Sequence, residues 1–216
     1  MRELAVHRTF APGEDRSRVL PPRAVLRSQY LPAGFGAAFA ADRIAANVGT
    51  MPSPIGHALG GALAGGLLAG RAPAHAKPWW HDAAVFGALG LAADLDFLIG
   101  QHSRYTHSLG AVLIVGTLAL AMKRSQTRWA VAAAAAYASH ILLDALGNDT
   151  TPPIGVLALW PFSQDFYQTN VHLFMAISRR YWLPGFLRHN LTAVAWELVL
   201  LGPLTALVWW WRGRQS

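Results

Sequence analysis

A short polar stretch, DLDFLIGQHSRYTHS at residues 94–108, lies between long runs of apolar residues. It contains the carboxylates of Asp94 and Asp96, the imidazoles of His102 and His107, and the guanidinium of Arg104. Ionisable side chains beside apolar segments carry a desolvation cost, and inside membranes they commonly mark functional sites. These residue types therefore indicate a site for a divalent cation or for acid–base chemistry.

A second polar pair, His140 and Asp144, occurs in the sequence ASHILLDAL. The two residues are four apart, so on a helix they share one face and can chelate one ion. Asp94 and Asp96 would point about 160° apart on a regular α-helix, so both could face one ion only where the helix ends or is distorted. The chain has no cysteine. Histidine with carboxylate suits zinc, manganese or iron, whereas an excess of carboxylates favours magnesium or manganese.

Five apolar runs follow Met51, and these are the elements that must position the polar residues. They cover residues 55–70, 83–100, 108–122, 129–146 and 194–211. Each is slightly shorter than the roughly 20 residues of an upright membrane span, so length alone also permits a soluble all-α core. However, only 13% of the 216 residues are charged, against about a quarter in soluble domains, and this favours a membrane protein.

Tryptophan and glycine placement also favours an all-α integral membrane bundle of about five helices. Tryptophans precede the second run at 79–80 and close the last run at 209–211, where Arg212 and Arg214 follow. Such aromatic and cationic ends are typical of membrane interfaces. The first run repeats glycine at the small-xxx-small spacing that lets helix backbones approach closely.

The net charge of +7 also permits a nucleic-acid partner. However, the lysines and arginines are scattered at the ends of apolar runs, and no dense basic stripe is present. We therefore expect membrane lipid as the partner and no nucleic acid, and we make no prediction of oligomeric state.

If the runs alternate direction through a membrane, the unusual polar residues converge on one membrane face. Chance placement would scatter them over both faces, so the convergence indicates a site. The residues on that face are His57, Asp94, Asp96, His102, Arg104, His107, His140 and Asp144.

Two further segments have their own composition. Residues 1–50 contain arginine and proline without a sustained apolar pattern, and we interpret them as a disordered N-terminal extension or as sequence upstream of a true start at Met51. The membrane domain is then 51–216. The connection at 147–170 contains Pro152 and Pro153, which forbid a long helix. It is interpreted as a roof over the site or as a surface loop packed on helix ends.

The sequence motifs GHALGGALAG, DLDFL, HSRYTHSLGAV, SHILLDAL and GVLALWPFS occur in this order within residues 51–165. Together they resemble the bacterial membrane-bound metal-dependent hydrolase family, whose relatives include an SOS-regulated inner-membrane protein. That family is thought to be distantly similar to zinc-dependent phospholipase C. The resemblance implies a multi-pass protein of the bacterial inner membrane. It also implies metal-site candidates at His57, Asp94, Asp96, His107, His140 and Asp144, with His102 and Arg104 nearby as catalytic candidates.

From these patterns we expect hydrolysis of a lipid or a lipid-linked phosphate or ester, with zinc or manganese as the metal. Asp94 or Asp96 could accept a proton instead of binding the ion. Arg104 could bind an anionic substrate group or could neutralise one of these carboxylates. The alternative is a non-enzymatic membrane protein that binds or transports a metal ion with the same residues.

Overall fold

The computed structural model describes residues 51–70, 78–99, 103–122, 126–150 and 153–214. Within these ranges the chain forms five α-helices, one 3-10 helix and no strand, with two isolated β-bridges. The elements are α1 (Pro54–Leu68), α2 (Trp79–Leu91), the 3-10 helix (Ala92–Ile99), α3 (Leu109–Met122), α4 (Thr127–Ala145) and α5 (Phe186–Gly213).

The predicted all-α fold with five helices is confirmed, and the second and last helices differ most from the predicted runs. The second run changes from α-helix to 3-10 helix at Ala92. The last helix begins at Phe186 rather than near residue 194, because its first turns contain Arg188, His189 and Asn190, which an apolar pattern does not detect. The interpretation of residues 1–50 as an extension lies outside the described residues.

Among the described helices, only α5 is long and apolar enough to cross a membrane by length and composition. The helices α1 and α3 are apolar but shorter. These lengths therefore indicate one membrane span, and the predicted multi-pass arrangement is not established by them.

Helix α1 lies at the centre of the bundle, where it packs against α2, α4 and α5. The glycines make this packing close, as their spacing predicted. A Cβ atom at Gly61 would collide with the carbonyl of Phe86, and one at Gly90 would collide with the carbonyl of His57. The crossing of α1 and α2 therefore requires glycine on both helices.

Helix α5 holds α1 at both ends. At the start of α1, the N-cap residue Ser53 donates through its backbone N to Glu197 Oε1 at 2.6 Å and through its hydroxyl to Glu197 Oε2. At the other end, the Arg212 guanidinium donates to the carbonyls of Ala69 at 2.5 Å and Gly70 at 3.0 Å. A carboxylate at the N-terminus and a cation at the C-terminus both complement the helix dipole.

The end of the bundle near Arg212 has an apolar core. Phe86 and Trp209 are 0% and 4% exposed, and they pack among the buried alanines of α4. Trp209 also donates to the carbonyl of Ala62. Of the tryptophans predicted at a membrane interface, Trp209 is therefore a core residue, whereas Trp80, Trp210 and Trp211 are more than half exposed.

The connection between α4 and α5 packs on the helix ends at the opposite end of the bundle. The backbone N–H groups of Leu109 and Gly110, in the first turn of α3, donate to the carbonyls of Ala158 and Trp160 at 2.8 and 2.9 Å. Further along, Ile177 donates to the carbonyl of Met51, just before α1. The connection thus covers the ends of the helices that carry the predicted site residues.

Candidate metal centre

Four elements bring polar side chains to one buried position. His57 lies in the first turn of α1, Asp94 lies in the 3-10 helix, and His107 lies just before α3. His140 and Asp144 lie on one face near the end of α4. The side chains of the three histidines and of Asp144 are at most 1% exposed, whereas the side chain of Asp94 is 23% exposed.

The 3-10 helix allows Asp94 and Asp96 to reach the same histidine. Residues two apart lie about 120° apart around a 3-10 helix, compared with about 160° around an α-helix. Asp94 Oδ1 lies 3.7 Å from His107 Nε2, and Asp96 Oδ2 lies 3.3 Å from His107 Nδ1. The two carboxylates therefore contact opposite sides of one imidazole ring.

Four atoms form the centre of the cluster: Asp94 Oδ1, His107 Nε2, His140 Nε2 and Asp144 Oδ2. The two Nε2 atoms are 3.1 Å apart. Asp144 Oδ2 lies 3.4 Å from the Nε2 of His107 and 3.2 Å from that of His140. Asp94 Oδ1 lies 3.7 and 3.5 Å from the same two nitrogens.

Neighbouring acceptors determine where the imidazole protons lie. His140 Nδ1 lies 2.6 Å from the carbonyl of Gly90, which can only accept, so Nδ1 carries the proton. The hydroxyl proton of Thr106 goes to Asp96 Oδ2 at 2.8 Å, so the Thr106 oxygen is left to accept from His107 Nδ1 at 3.0 Å. In the neutral rings both Nε2 atoms are therefore unprotonated, and their lone pairs face each other.

His57 extends the cluster beyond its four central atoms. Its ring stacks on that of His140, with centroids 3.7 Å apart, and its Nε2 lies 3.2 Å from Asp144 Oδ1. Both ring nitrogens of His57 and both carboxylate oxygens of Asp144 are buried without a hydrogen bond from the described residues. Buried polar atoms rarely lack a partner, and a cation would satisfy them.

The spacing of the four central atoms fits a small cation. A tetrahedron with corners about 2.0–2.1 Å from its centre, the usual zinc–nitrogen and zinc–oxygen distance, has edges of about 3.3–3.4 Å. The five interatomic distances given above, from 3.1 to 3.7 Å, bracket that value. The cluster could therefore hold a metal ion, and two overlapping groups of three residues have suitable ligand atoms: His57, His140 and Asp144, and Asp94, His107 and His140.

Three carboxylates surround the imidazole of His107 and affect its pKa. Burial lowers the pKa of His107, but the hydrogen bonds to Asp94 and Asp96 and the charge of Asp144 outweigh burial and raise it above its usual value. A carboxylate beside one nitrogen of an imidazole also makes the other nitrogen a stronger metal ligand. Asp96 has this position at His107 Nδ1.

The structure gathers five of the six metal-site candidates: His57, Asp94, His107, His140 and Asp144. The sixth, Asp96, lies against His107 Nδ1 and belongs to neither group of ligand atoms. Arg104 is exposed, and its backbone carbonyl accepts from the backbone N of His107. His102 lies outside the described residues.

Two charged residues near the site were not found by the sequence analysis. Arg179, in the connection before α5, lies close enough to Asp94 and Asp96 to be affected by their charges. Partial burial lowers the pKa of its guanidinium, and the two carboxylates oppose that effect. Glu197 is fully buried next to Gly56, one residue before His57. The sequence shows Glu197 as a carboxylate inside an apolar run. Its contact with Ser53, however, depends on tertiary packing and could not be predicted.

The fold and the site together define a class of protein. It is an α-helical protein with a membrane-spanning helix and a buried cluster of histidine and aspartate. Residues 51–215 match the model of the YdjM inner membrane protein family. The chain therefore belongs to this bacterial inner-membrane family. No curated protein and no solved structure matches the chain. The family description states a location and no reaction, so hydrolysis stays a prediction.

Proposed function

We propose that the protein is a membrane-bound metal-dependent hydrolase that acts on a lipid or a lipid-linked phosphate or ester. The cation is held by His107, His140 and Asp144, and Asp94 lies at the fourth corner. Zinc suits this donor set better than manganese, because the short and nearly equal distances match four-fold rather than six-fold coordination.

The observation that carries the proposal is the approach of the Nε2 atoms of His107 and His140 to 3.1 Å. Two lone pairs at that distance repel each other unless a cation or a proton lies between them. A shared proton would satisfy only these two nitrogens, whereas Asp144 Oδ2 also lies within 3.4 Å of both of them. A cation satisfies all of these atoms together.

Access from a cavity distinguishes Asp94 from the other three residues. The side chains of His107, His140 and Asp144 are inaccessible, whereas the side chain of Asp94 is 23% exposed and lines a cavity, although its Oδ1 atom is buried. Catalytic zinc sites commonly have three protein ligands and one exchangeable position, whereas structural sites have four protein ligands. The access to Asp94 from the cavity therefore supports a catalytic rather than a structural site.

The side chains of the protein then have separate tasks. A divalent ion, when bound, lowers the pKa of water towards neutrality and polarises a phosphoryl or acyl oxygen. The Asp94 carboxylate accepts the proton of the attacking water, while the water oxygen bonds to phosphorus or carbon and the leaving oxygen is protonated by solvent. Asp96 and the Gly90 carbonyl orient the rings of His107 and His140 through their Nδ1 atoms.

The family and the exposed apolar side chains support a substrate in the membrane. Leu113, Ile114 and Leu118 on α3 are 56–59% exposed, which suits contact with acyl chains. We include in the proposal that α3 and α1 lie within the bilayer beside α5, so that the protein is multi-pass. The metal centre then lies at the membrane face, where lipid head groups are found.

Turnover by the zinc-loaded full chain in detergent tests this proposal. The substrates are a chromogenic phosphodiester, bis(p-nitrophenyl) phosphate, and a chromogenic ester, p-nitrophenyl butyrate. We expect turnover of at least one of them, and a decrease of at least about 100-fold in kcat for Asp94→Asn, since general bases contribute this much or more. Asp165→Asn, at an exposed aspartate, is the matched control.

Absence of turnover of both substrates by a chain that contains zinc would contradict the hydrolase proposal. That result would favour the alternative function, a membrane protein that binds or transports a metal ion. Equal kcat values for Asp94→Asn and Asp165→Asn would instead remove Asp94 from the mechanism.

A further inference from the structure

A cavity of about 490 Å³ opens beside the metal centre, within the roughly 300–1,000 Å³ of typical ligand pockets. Its walls are mainly apolar, and of its described lining residues two are charged. The apolar walls include Met51, Leu91, Leu95 and Ile177, and the charged residues are Asp94 and Arg179.

The two charged residues connect the cavity to the reaction site. Asp94 Oδ1 is a corner of the metal cluster, 3.5 Å from His140 Nε2. Arg179 lies on the cavity wall near Asp94 and Asp96. A molecule in this cavity can therefore lie against Asp94 and Arg179 at the same time.

The backbone just before Arg179 is held in place. Asn190 of α5 accepts from the backbone N of Ser178 at 2.8 Å and donates to the carbonyl of Ser178 at 2.9 Å. On the same segment, Ile177 donates to the carbonyl of Met51 at 2.8 Å. Arg179 is thus attached to α5 and to the start of α1, although its side chain is exposed to solvent.

The negative charge of the site favours a positively charged side chain, such as that of Arg179, beside an anionic substrate. Asp94, Asp96 and Asp144 together carry more negative charge than one divalent ion neutralises. An anionic substrate would be repelled unless the protein supplied another positive charge. Arginine is suited to this task because its planar group binds two phosphate oxygens at once.

We propose that Arg179 binds the phosphate group of an amphiphilic phosphoester whose aliphatic chain lies along the apolar walls of the cavity. This inference rests on the proposed function for the reaction, and it narrows the substrate class from lipids and esters in general to phosphate-bearing amphiphiles. It also assigns to Arg179 the anion-binding role that the sequence suggested for Arg104.

Calorimetric titration of the full-length protein in a maltoside detergent tests this inference, with dodecyl phosphate as the probe. The variants are Arg179→Met, which removes the charge, and Arg179→Lys, which keeps it without the planar fork. Arg180→Met, at the exposed neighbouring arginine, is the matched control. Partition of the probe into micelles is the same for all four proteins and cancels in the comparison.

We expect Arg179→Met to weaken the binding of dodecyl phosphate by about 10- to 100-fold, as for lost hydrogen bonds to charged groups. Arg179→Lys should bind with intermediate affinity, and Arg180→Met should bind like the parent. Inorganic phosphate should displace dodecyl phosphate only at much higher concentration, because it lacks the chain. Equal affinities of Arg179→Met and Arg180→Met, or equal displacement by inorganic phosphate, would overturn the inference.

Metal content and turnover, measured on the same preparations, separate this inference from the proposed function. Arginine-dependent binding of dodecyl phosphate by a protein without metal would support the inference and contradict the proposed function. A zinc-loaded, active enzyme in which Arg179→Met binds dodecyl phosphate normally would support the function and overturn the inference.

Discussion

The two ends of the helical bundle bury different kinds of side chain, apolar at one end and polar at the other. At one end Phe86 and Trp209 pack among the alanines of α4, and at the other end His107, His140 and Asp144 fill the interior. Burial of apolar side chains is favourable without a specific partner. A buried polar cluster is favourable only when its charges and lone pairs are satisfied. The apolar end therefore stabilises the fold by itself, whereas the charges and lone pairs of the polar end could be satisfied by a metal ion.

Helix α1 runs from one end of the bundle to the other and fixes the position of the two ends relative to each other. Its start is held by Ser53 and Glu197 and its end by Arg212. The Gly61–Gly90 crossing lies between these attachments and brings the Gly90 carbonyl against His140 Nδ1. Close packing of small residues thus sets the position of a metal-ligand candidate.

The largest expected effect on stability comes from breaking the apolar end. Trp209→Ala should lower the free energy of unfolding by about 3–5 kcal/mol, as large-to-small changes in cores do, and should leave zinc content unchanged. Thermal unfolding in detergent and elemental mass spectrometry measure the two quantities. Trp210→Ala, at a tryptophan that is 55% exposed, should change stability much less. Loss of zinc in Trp209→Ala samples that remain folded would show that the two ends are not independent.

A smaller effect is expected when the support of one ligand is weakened at the polar end. Asp96→Asn removes the negative charge beside His107 Nδ1, and it should reduce zinc affinity by about 10- to 100-fold. Competition with a fluorescent zinc chelator measures this affinity. Asp165→Asn should bind zinc like the parent. Parental affinity in Asp96→Asn would mean that His107 is oriented without this carboxylate.

The smallest effect is expected at Arg104. Because its side chain is exposed, Arg104→Gln should change the free energy of unfolding by less than about 0.5 kcal/mol, with zinc content and turnover unchanged. The same thermal and kinetic assays apply. A fall in kcat similar to that of Asp94→Asn would restore the catalytic role that the sequence suggested.

Local sequence patterns were sufficient for the parts of the site that lie on one helix. The four-residue spacing of His140 and Asp144 predicted a shared face, and both side chains reach the cluster. The glycine repeat of the first run predicted close helix packing, which the structure shows at Gly61. These features depend only on the period of an α-helix.

Features that depend on tertiary contacts were not predictable in the same way. Arg179 is far from Asp94 in the sequence and reaches it through an irregular segment, whose path is determined by hydrogen bonds to Met51 and Asn190. The 3-10 helix that brings Asp94 and Asp96 to the same histidine also has no clear signal in the composition of residues 92–99. Arg104 was favoured because it is near in sequence, although Arg179 is the arginine that lines the cavity.

The most direct test of the central claim is the metal content of the full chain, purified in detergent and loaded with zinc. Elemental mass spectrometry would compare the parent with the His140→Ala/Asp144→Ala double variant and with a matched control, His81→Ala/Asp165→Ala, which alters a histidine and an aspartate outside the cluster. The account predicts one zinc per chain in the parent and in the control, and none in the double variant. No zinc in the loaded parent, or equal zinc in all three proteins, would contradict it.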